Sequence, residues 1–124
     1  MRKSPINFCF TREERLKKRN EIKEVFSKGK RIGCKGAKLF LLENSLPYNR
    51  ICFTFSKGFA GAVQRNRAKR LGREAYRSLK PMLRCGYDVI LLEYPADALS
   101  GAKTGLAQRV GQMQYLFSKA GLFK

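Results

Sequence analysis

The sequence predicts a single α+β domain, a two-layer sandwich with element order αβββαβα, and three observations predict it. Helical patterns near 20–28, 63–79 and 106–120 are separated by short apolar segments that read as strands. Basic residues fall in two blocks divided by near-neutral apolar stretches, which is the pattern of a packed core carrying a shaped charged surface. At 124 residues and 14.2 kDa the chain has room for one domain, burying roughly two-thirds of the surface its unfolded form would expose.

The first basic block offers two helix starts. Thr11 with Glu14 three residues on makes a capping box, and Asn20 can cap the apolar set Ile22, Val25, Phe26. The second start is favoured, giving a helix over 20–28 that Gly29 stops in the left-handed conformation. Residues 1–19 then form a basic, partly extended arm, with Lys17, Lys18 and Arg19 extended and Phe10 and Leu16 pinning it to the body. Strands follow at 31–35 and 37–43, then a turn over Asn44 to Asn49 containing Pro47, then a strand at 50–56 whose core face is Ile51, Phe53 and Phe55. A basic helix over 63–79 ends before Pro81, residues 87–94 read as a buried strand closed by Pro95, and 106–120 as the last helix.

Lys and Arg number 27 against 9 Asp and Glu, a net charge of +18, and the chain has no histidine. Residues 1–38 hold thirteen cations against four acids, and 64–84 hold eight against one. Such a surface attracts polyanions. Without histidine and with few carboxylates, the usual general bases, metal ligands and triads are missing, so self-sufficient catalysis is not expected and no protein metal site is expected. Cys9, Cys34, Cys52 and Cys85 show neither zinc spacing nor a disulfide pattern and read as reduced thiols. The longest aliphatic runs are four residues, far short of a membrane span or signal core, which points to the cytoplasm.

On a helical wheel, Ala68, Leu71, Gly72, Ala75, Tyr76 and Leu79 share one stripe suited to packing on a sheet. Asn66, Lys69, Arg70, Arg73, Arg77 and Lys80 form an adjoining cationic ridge. An ordinary solvated helix face would pair such charges with acids at i, i+4, but Glu74 is the sole acid of 64–84. Arginine dominates, and its planar fork suits phosphodiester oxygens. Binding to a membrane surface fits poorly, because the stripe is rich in Ala and Gly and offers little area to insert.

The run Gln64-Arg65-Asn66-Arg67-Ala68-Lys69-Arg70-Leu71-Gly72-Arg73-Glu74-Ala75-Tyr76-Arg77 resembles the arginine–asparagine–arginine signature of the bacterial ribonuclease P protein subunit family. The resemblance extends to Arg15-Leu16-Lys17-Lys18, to Val25-Phe26-Ser27-Lys28-Gly29, and to Phe55-Ser56-Lys57-Gly58 leading through Gly61-Ala62-Val63. It implies a left-handed βαβ crossover carrying the signature helix, against the usual handedness. It also implies a partnership with a catalytic RNA that uses magnesium, held mainly by that RNA, to remove the 5′ leader of precursor tRNA, the protein binding the leader and supporting active-site metal binding, with no DNA or membrane partner. By position, Arg65, Asn66, Arg67, Lys69, Arg70, Arg73 and Arg77 would face the catalytic RNA. Phe26 and Phe40 would line a cleft for the single-stranded leader, with Ile22 where the family usually carries an aromatic. The competing expectation is a ribosomal or other structural RNA-binding protein. Asn66 is also open to a second role, as a helix cap.

Overall fold

A computed structural model of the chain describes residues 14–34, 36–56, 61–94 and 105–124. Helix α1 spans Arg19–Lys28 and is followed by strands β1 (Lys30–Cys34), β2 (Ala37–Glu43) and β3 (Arg50–Phe55). Helix α2 (Ala62–Leu79) runs into a single 3-10 turn at Lys80–Met82, then come β4 (Tyr87–Glu93) and helix α3 (Leu106–Ala120). The order is the αβββαβα that the sequence predicts, with boundaries within a residue or two.

The strands form one sheet in the order β1-β2-β4-β3. β1 and β2 are an antiparallel hairpin turning at Gly36, whose φ of 87° is a conformation that favours glycine. β2 is antiparallel to β4 and places Phe40 opposite Ile90. β3 runs parallel to β4, with Ile51 opposite Val89 and Phe53 opposite Leu91. Parallel neighbours need a crossover, and α2 supplies it.

The two-residue period of the strands sorts the core into two parts. Leu39, Leu41, Ile51, Val89 and Leu91 face α2 and α3, packing on Tyr76, Leu79, Met113, Leu116 and Phe117. Phe40 and Ile90 face the other way and pack with Val25 of α1 and Leu16, bordered by half-buried Ile22, Phe26, Leu42, Cys52 and Leu92. The sheet with α2 and α3 is the two-layer body, and α1 covers part of the opposite face. β4 is therefore covered on both sides, which explains its unbroken Val-Ile-Leu-Leu run. Arg109 of α3 reaches Glu93 of β4 at 2.7 Å, a buried ion pair that fixes α3 to the end of that strand. Cys34, Cys52 and Cys85 are free thiols.

Two expectations about α1 are corrected. Asn20 is not its cap: the Ile22 N–H already bonds the Lys18 carbonyl at 3.0 Å, so the helix starts at Arg19 and Asn20 lies inside it. Gly29 is not left-handed but extended, with φ −74° and ψ 158°. Its need is space. A Cβ there would lie 2.5 Å from the Val25 carbonyl oxygen and 2.9 Å from that of Leu41, because the end of α1 presses on β2. Leu16 is buried as expected, whereas Thr11, Phe10 and Pro95 lie outside the described residues.

Gly29→Ala should therefore destabilise the domain by roughly 1–3 kcal/mol, since backbone atoms on both sides must shift. Gly33→Ala is the control: its Cβ would meet only Lys38 Cγ at 3.8 Å, an ordinary contact. Thermal denaturation of the two variants should show a fall in Tm of about 4 °C or more for the first and little change for the second.

Candidate nucleic-acid interface

Helix α2 is 18 residues long, so it extends over about 27 Å. Ala68, Gly72, Ala75, Tyr76 and Leu79 are buried and Leu71 is half-buried, as the wheel places them. Gly72 sets how close the helix comes: a Cβ there would sit 2.8 Å from the Phe53 ring, so α2 rests on β3 at this point. Arg65, Asn66, Arg67, Arg70 and Arg77 are exposed, and Lys69 and Arg73 are half-buried. Arg77 pairs with Glu74 at 2.7 Å. Lys69, Arg70 and Arg73 have no acidic partner among the described residues.

Lys80 leaves the ridge. At the C-terminal end of α2 its ammonium meets the buried Glu14 carboxylate of the arm, with the lysine side chain only 14 % exposed. Asn66 is the fifth residue of a helix capped at Gly61, so the capping role is excluded.

The remaining cations border three adjoining hollows linked through Lys69 and Arg73, an arrangement the wheel does not show. Arg65, Asn66 and Lys69 line a cleft of about 310 Å³ against Phe53, Thr54 and Phe55 of β3. Lys69 and Arg73 line a second cleft, about 200 Å³, together with Arg15 and Lys17. On the outer side Arg67, Arg70, Arg73 and Arg77 border an open hollow beside Leu71 and Glu74. Arg15 and Lys17 are the functional candidates that the wheel and charge counts missed. They arrive through tertiary pairing: Arg15 bridges Ile51 in parallel and the Leu16 N–H bonds the Ile51 carbonyl at 3.0 Å, which lays the arm along β3. Arg15 and Lys17 of the first basic block thus join the α2 cations on one surface along α2 and the edge of β3.

Chemically the surface is a set of fixed cations beside half-buried apolar walls. Close like charges with few acids repel, and phosphates spaced along a nucleic-acid strand relieve that repulsion. Burial pushes the Cys52 thiol up, with the positive charge of Lys69 partly opposing. Among the described residues no group of three or more His, Cys, Asp or Glu side chains is placed to hold a metal ion.

The predicted leader residues do come together on the α1 face. Phe26 and Phe40 meet edge to face with ring centroids 4.7 Å apart, and Ile22 packs beside them. Phe40, however, is only 6 % exposed. Base stacking needs an open ring face, and this one is closed by Phe26, Val25 and Ile90. Of the expected set, half-buried Phe26 and Ile22 are the ones that reach solvent.

A basic helix laid across a four-stranded sheet, flanked by a basic extended arm and carrying Arg70 and Arg73 with no acidic partner among the described residues, defines a small RNA-binding α+β protein. Residues 10–120 match the family described as Ribonuclease P. The ribonuclease P protein component of Natranaerobius thermophilus is 46 % identical over 85 residues, covering 68 % of this chain and 74 % of the relative. That of Borrelia duttonii is 39 % identical over 84 residues, covering 67 % and 74 %. The fold is similar to the RNase P proteins of Staphylococcus aureus, with a TM-score of 0.76 at 20 % identity over 90 % of this chain and 98 % of that one. For Thermotoga maritima the TM-score is 0.77 at 22 % identity over 86 % and 96 %. The chain belongs to the ribonuclease P protein family, whose members are the protein component of an RNA–protein endoribonuclease of tRNA processing. Among the described residues no helix is long and apolar enough to cross a membrane.

Phe40→Ala should act as a core truncation, lowering stability by roughly 3–5 kcal/mol. Urea denaturation monitored by circular dichroism measures the loss. A variant as stable as the parent would show that the ring is not packed as described.

Proposed function

We propose that this chain assists a catalytic RNA in the magnesium-dependent removal of the 5′ leader from precursor tRNA in the cytoplasm. The observation that carries the reading is that Arg15 and Lys17, far from α2 in sequence, lie with the α2 cations on one surface along α2 and β3. In this reading Arg65, Asn66, Arg67, Lys69, Arg70, Arg73 and Arg77 bind the catalytic RNA, joined by Arg15 and Lys17. Phosphate contacts of this kind position an RNA without reading its sequence. The α1 face holds the single-stranded leader. Half-buried Phe26 offers its solvent-facing part, Ile22 extends the wall, and Phe40 packs against Phe26 in the core.

The described side chains do not fit a protein-held magnesium. Glu14, Glu21, Glu24, Glu74, Asp88 and Glu93 are each engaged with a lysine or arginine, and Glu43 belongs to no group of three or more candidate ligands. No step of the reaction is therefore routed through a metal on this chain, and the RNA holds the magnesium. The contribution of the protein is binding and orientation, together with cationic charge that lowers the repulsion between two polyanions.

The deciding experiment is cleavage of precursor tRNA by the cognate RNA, titrated with magnesium with and without the protein. The protein should shift the requirement to lower magnesium and should show no cleavage by itself. Robust cleavage by RNA-free protein would overturn the reading.

Arg70→Ala with Arg73→Ala should weaken RNA binding and leave Tm unchanged, since neither side chain belongs to the buried stripe. With about five phosphate contacts, log affinity should fall against log salt with a slope of roughly −3 to −5, and the double variant should flatten it by about 1 to 2. Binding isotherms at several salt concentrations, with a melting curve beside them, separate this from a structural role.

A further inference from the structure

Arg50 adds to the cationic total, yet its guanidinium is turned inward and only 18 % of the side chain is exposed. Its Nε and Nη2 donate to the two carboxylate oxygens of Asp88 at 2.8 and 2.7 Å, a bidentate pair between the adjacent strands β3 and β4. Asp88 is 5 % exposed overall and also accepts from Asn44 Nδ2 at 2.8 Å. The third arm of the fork, Nη1, donates to Glu21 Oε1 of α1 at 3.1 Å. The hydrogen bonds to Asp88 hold the Arg50 proton more firmly than usual.

The link to Glu21 is the one polar contact recorded between α1 and the sheet among the described residues. The rest of that interface is apolar: Ile22, Val25 and Phe26 over Phe40, Leu42, Ile90 and Leu92. Apolar burial is non-directional and leaves a short helix free to rotate or slide on the sheet. A charged fork with a fixed base is directional. Gly29 presses the far end of α1 onto the Leu41 carbonyl, so the close approach fixes one end and the Glu21–Arg50 bond fixes the other.

We propose that Arg50 is a positioning residue for leader recognition: anchored on Asp88, it holds Glu21 and so sets the angle at which α1 presents Ile22 and Phe26. It touches no RNA itself. This rests on the proposed leader role of the α1 face, and the test is chosen so that the two can fail separately.

The experiment measures binding of precursor tRNA and of mature tRNA to the reconstituted holoenzyme for the parent, Glu21→Gln and Arg50→Gln, each across a salt series. Amide hydrogen exchange of α1 and α3 is followed in the same proteins. Glu21→Gln leaves the Arg50–Asp88 pair intact and so avoids a buried unpaired carboxylate, which Arg50→Gln creates. Glu21→Gln should lower the ratio of precursor to mature affinity by about threefold, the scale of one half-exposed charged hydrogen bond. Exchange should quicken in α1 and not in α3, and the salt slope should stay as in the parent. Arg50→Gln should lower the ratio further, again with an unchanged slope.

A salt slope flattened by about 0.7 to 0.9 in Arg50→Gln would make Arg50 a direct phosphate contact and overturn the proposal. Equal losses for both RNAs in Glu21→Gln, or an unchanged ratio, would overturn it as well. If the parent itself binds precursor and mature tRNA equally, the leader role of this face fails and the proposal falls with it.

Discussion

Two adjacent strands can run parallel only when the chain between them crosses a face of the sheet, and β3 and β4 are such a pair. That pairing places α2 on the sheet face beside β3 and sends its charged side over the β3 edge. It also puts β4 in the centre, covered on both faces, so that α1 and the α2–α3 layer pack on the same strand from opposite sides. The surface of β3 that α2 does not cover is where the N-terminal arm lies down at Ile51. Without the parallel pair, Arg15 and Lys17 would not share a surface with the α2 cations.

Charge in this protein serves two purposes that the tertiary structure separates. Arg50, Lys80 and Arg109 hold elements together through Asp88 and Glu21, Glu14, and Glu93. Each of these ties segments distant in the chain: β3 to β4 and α1, the α2 end to the arm, α3 to β4. Lys69, Arg70 and Arg73 are the opposite case, closely spaced on one helix with no acidic partner among the described residues. A net charge of +18 works against folding through self-repulsion, and binding a polyanion relieves it. The few acids are placed largely where they stabilise the fold, which leaves the α2 surface strongly positive.

Much of this was legible from local pattern. The α2 stripe follows from the 3.6-residue period of Ala68, Gly72, Ala75 and Leu79, and the two faces of β2 follow from alternation, with Leu39 and Leu41 on one side and Phe40 on the other. The family itself was readable from the signature run Arg65 to Arg77. Other features had no local signal. Gly29 reads as a left-handed stop from its place after a helix, and only the proximity of Leu41 shows that it is a space requirement. Lys80 sits on the wheel's ridge, and only the approach of Glu14 from the arm shows that it is paired. The resemblance puts Phe40 in the leader cleft, and only its burial against Phe26 shows a packed ring.

The sequence by itself determined the kinds of element, their order, the apolar side of each, and the chemical class of the partner, because periodicity and composition are properties of neighbouring residues. Only the tertiary structure decided which cations face outward, which are neutralised by acids remote in the chain, and how the arm and α2 combine into one surface. The physical reason is range: helix and strand patterns are set within a few residues, whereas the contacts Arg15 to Ile51, Arg50 to Asp88 and Glu14 to Lys80 join positions that only strand pairing and helix packing bring within bonding distance.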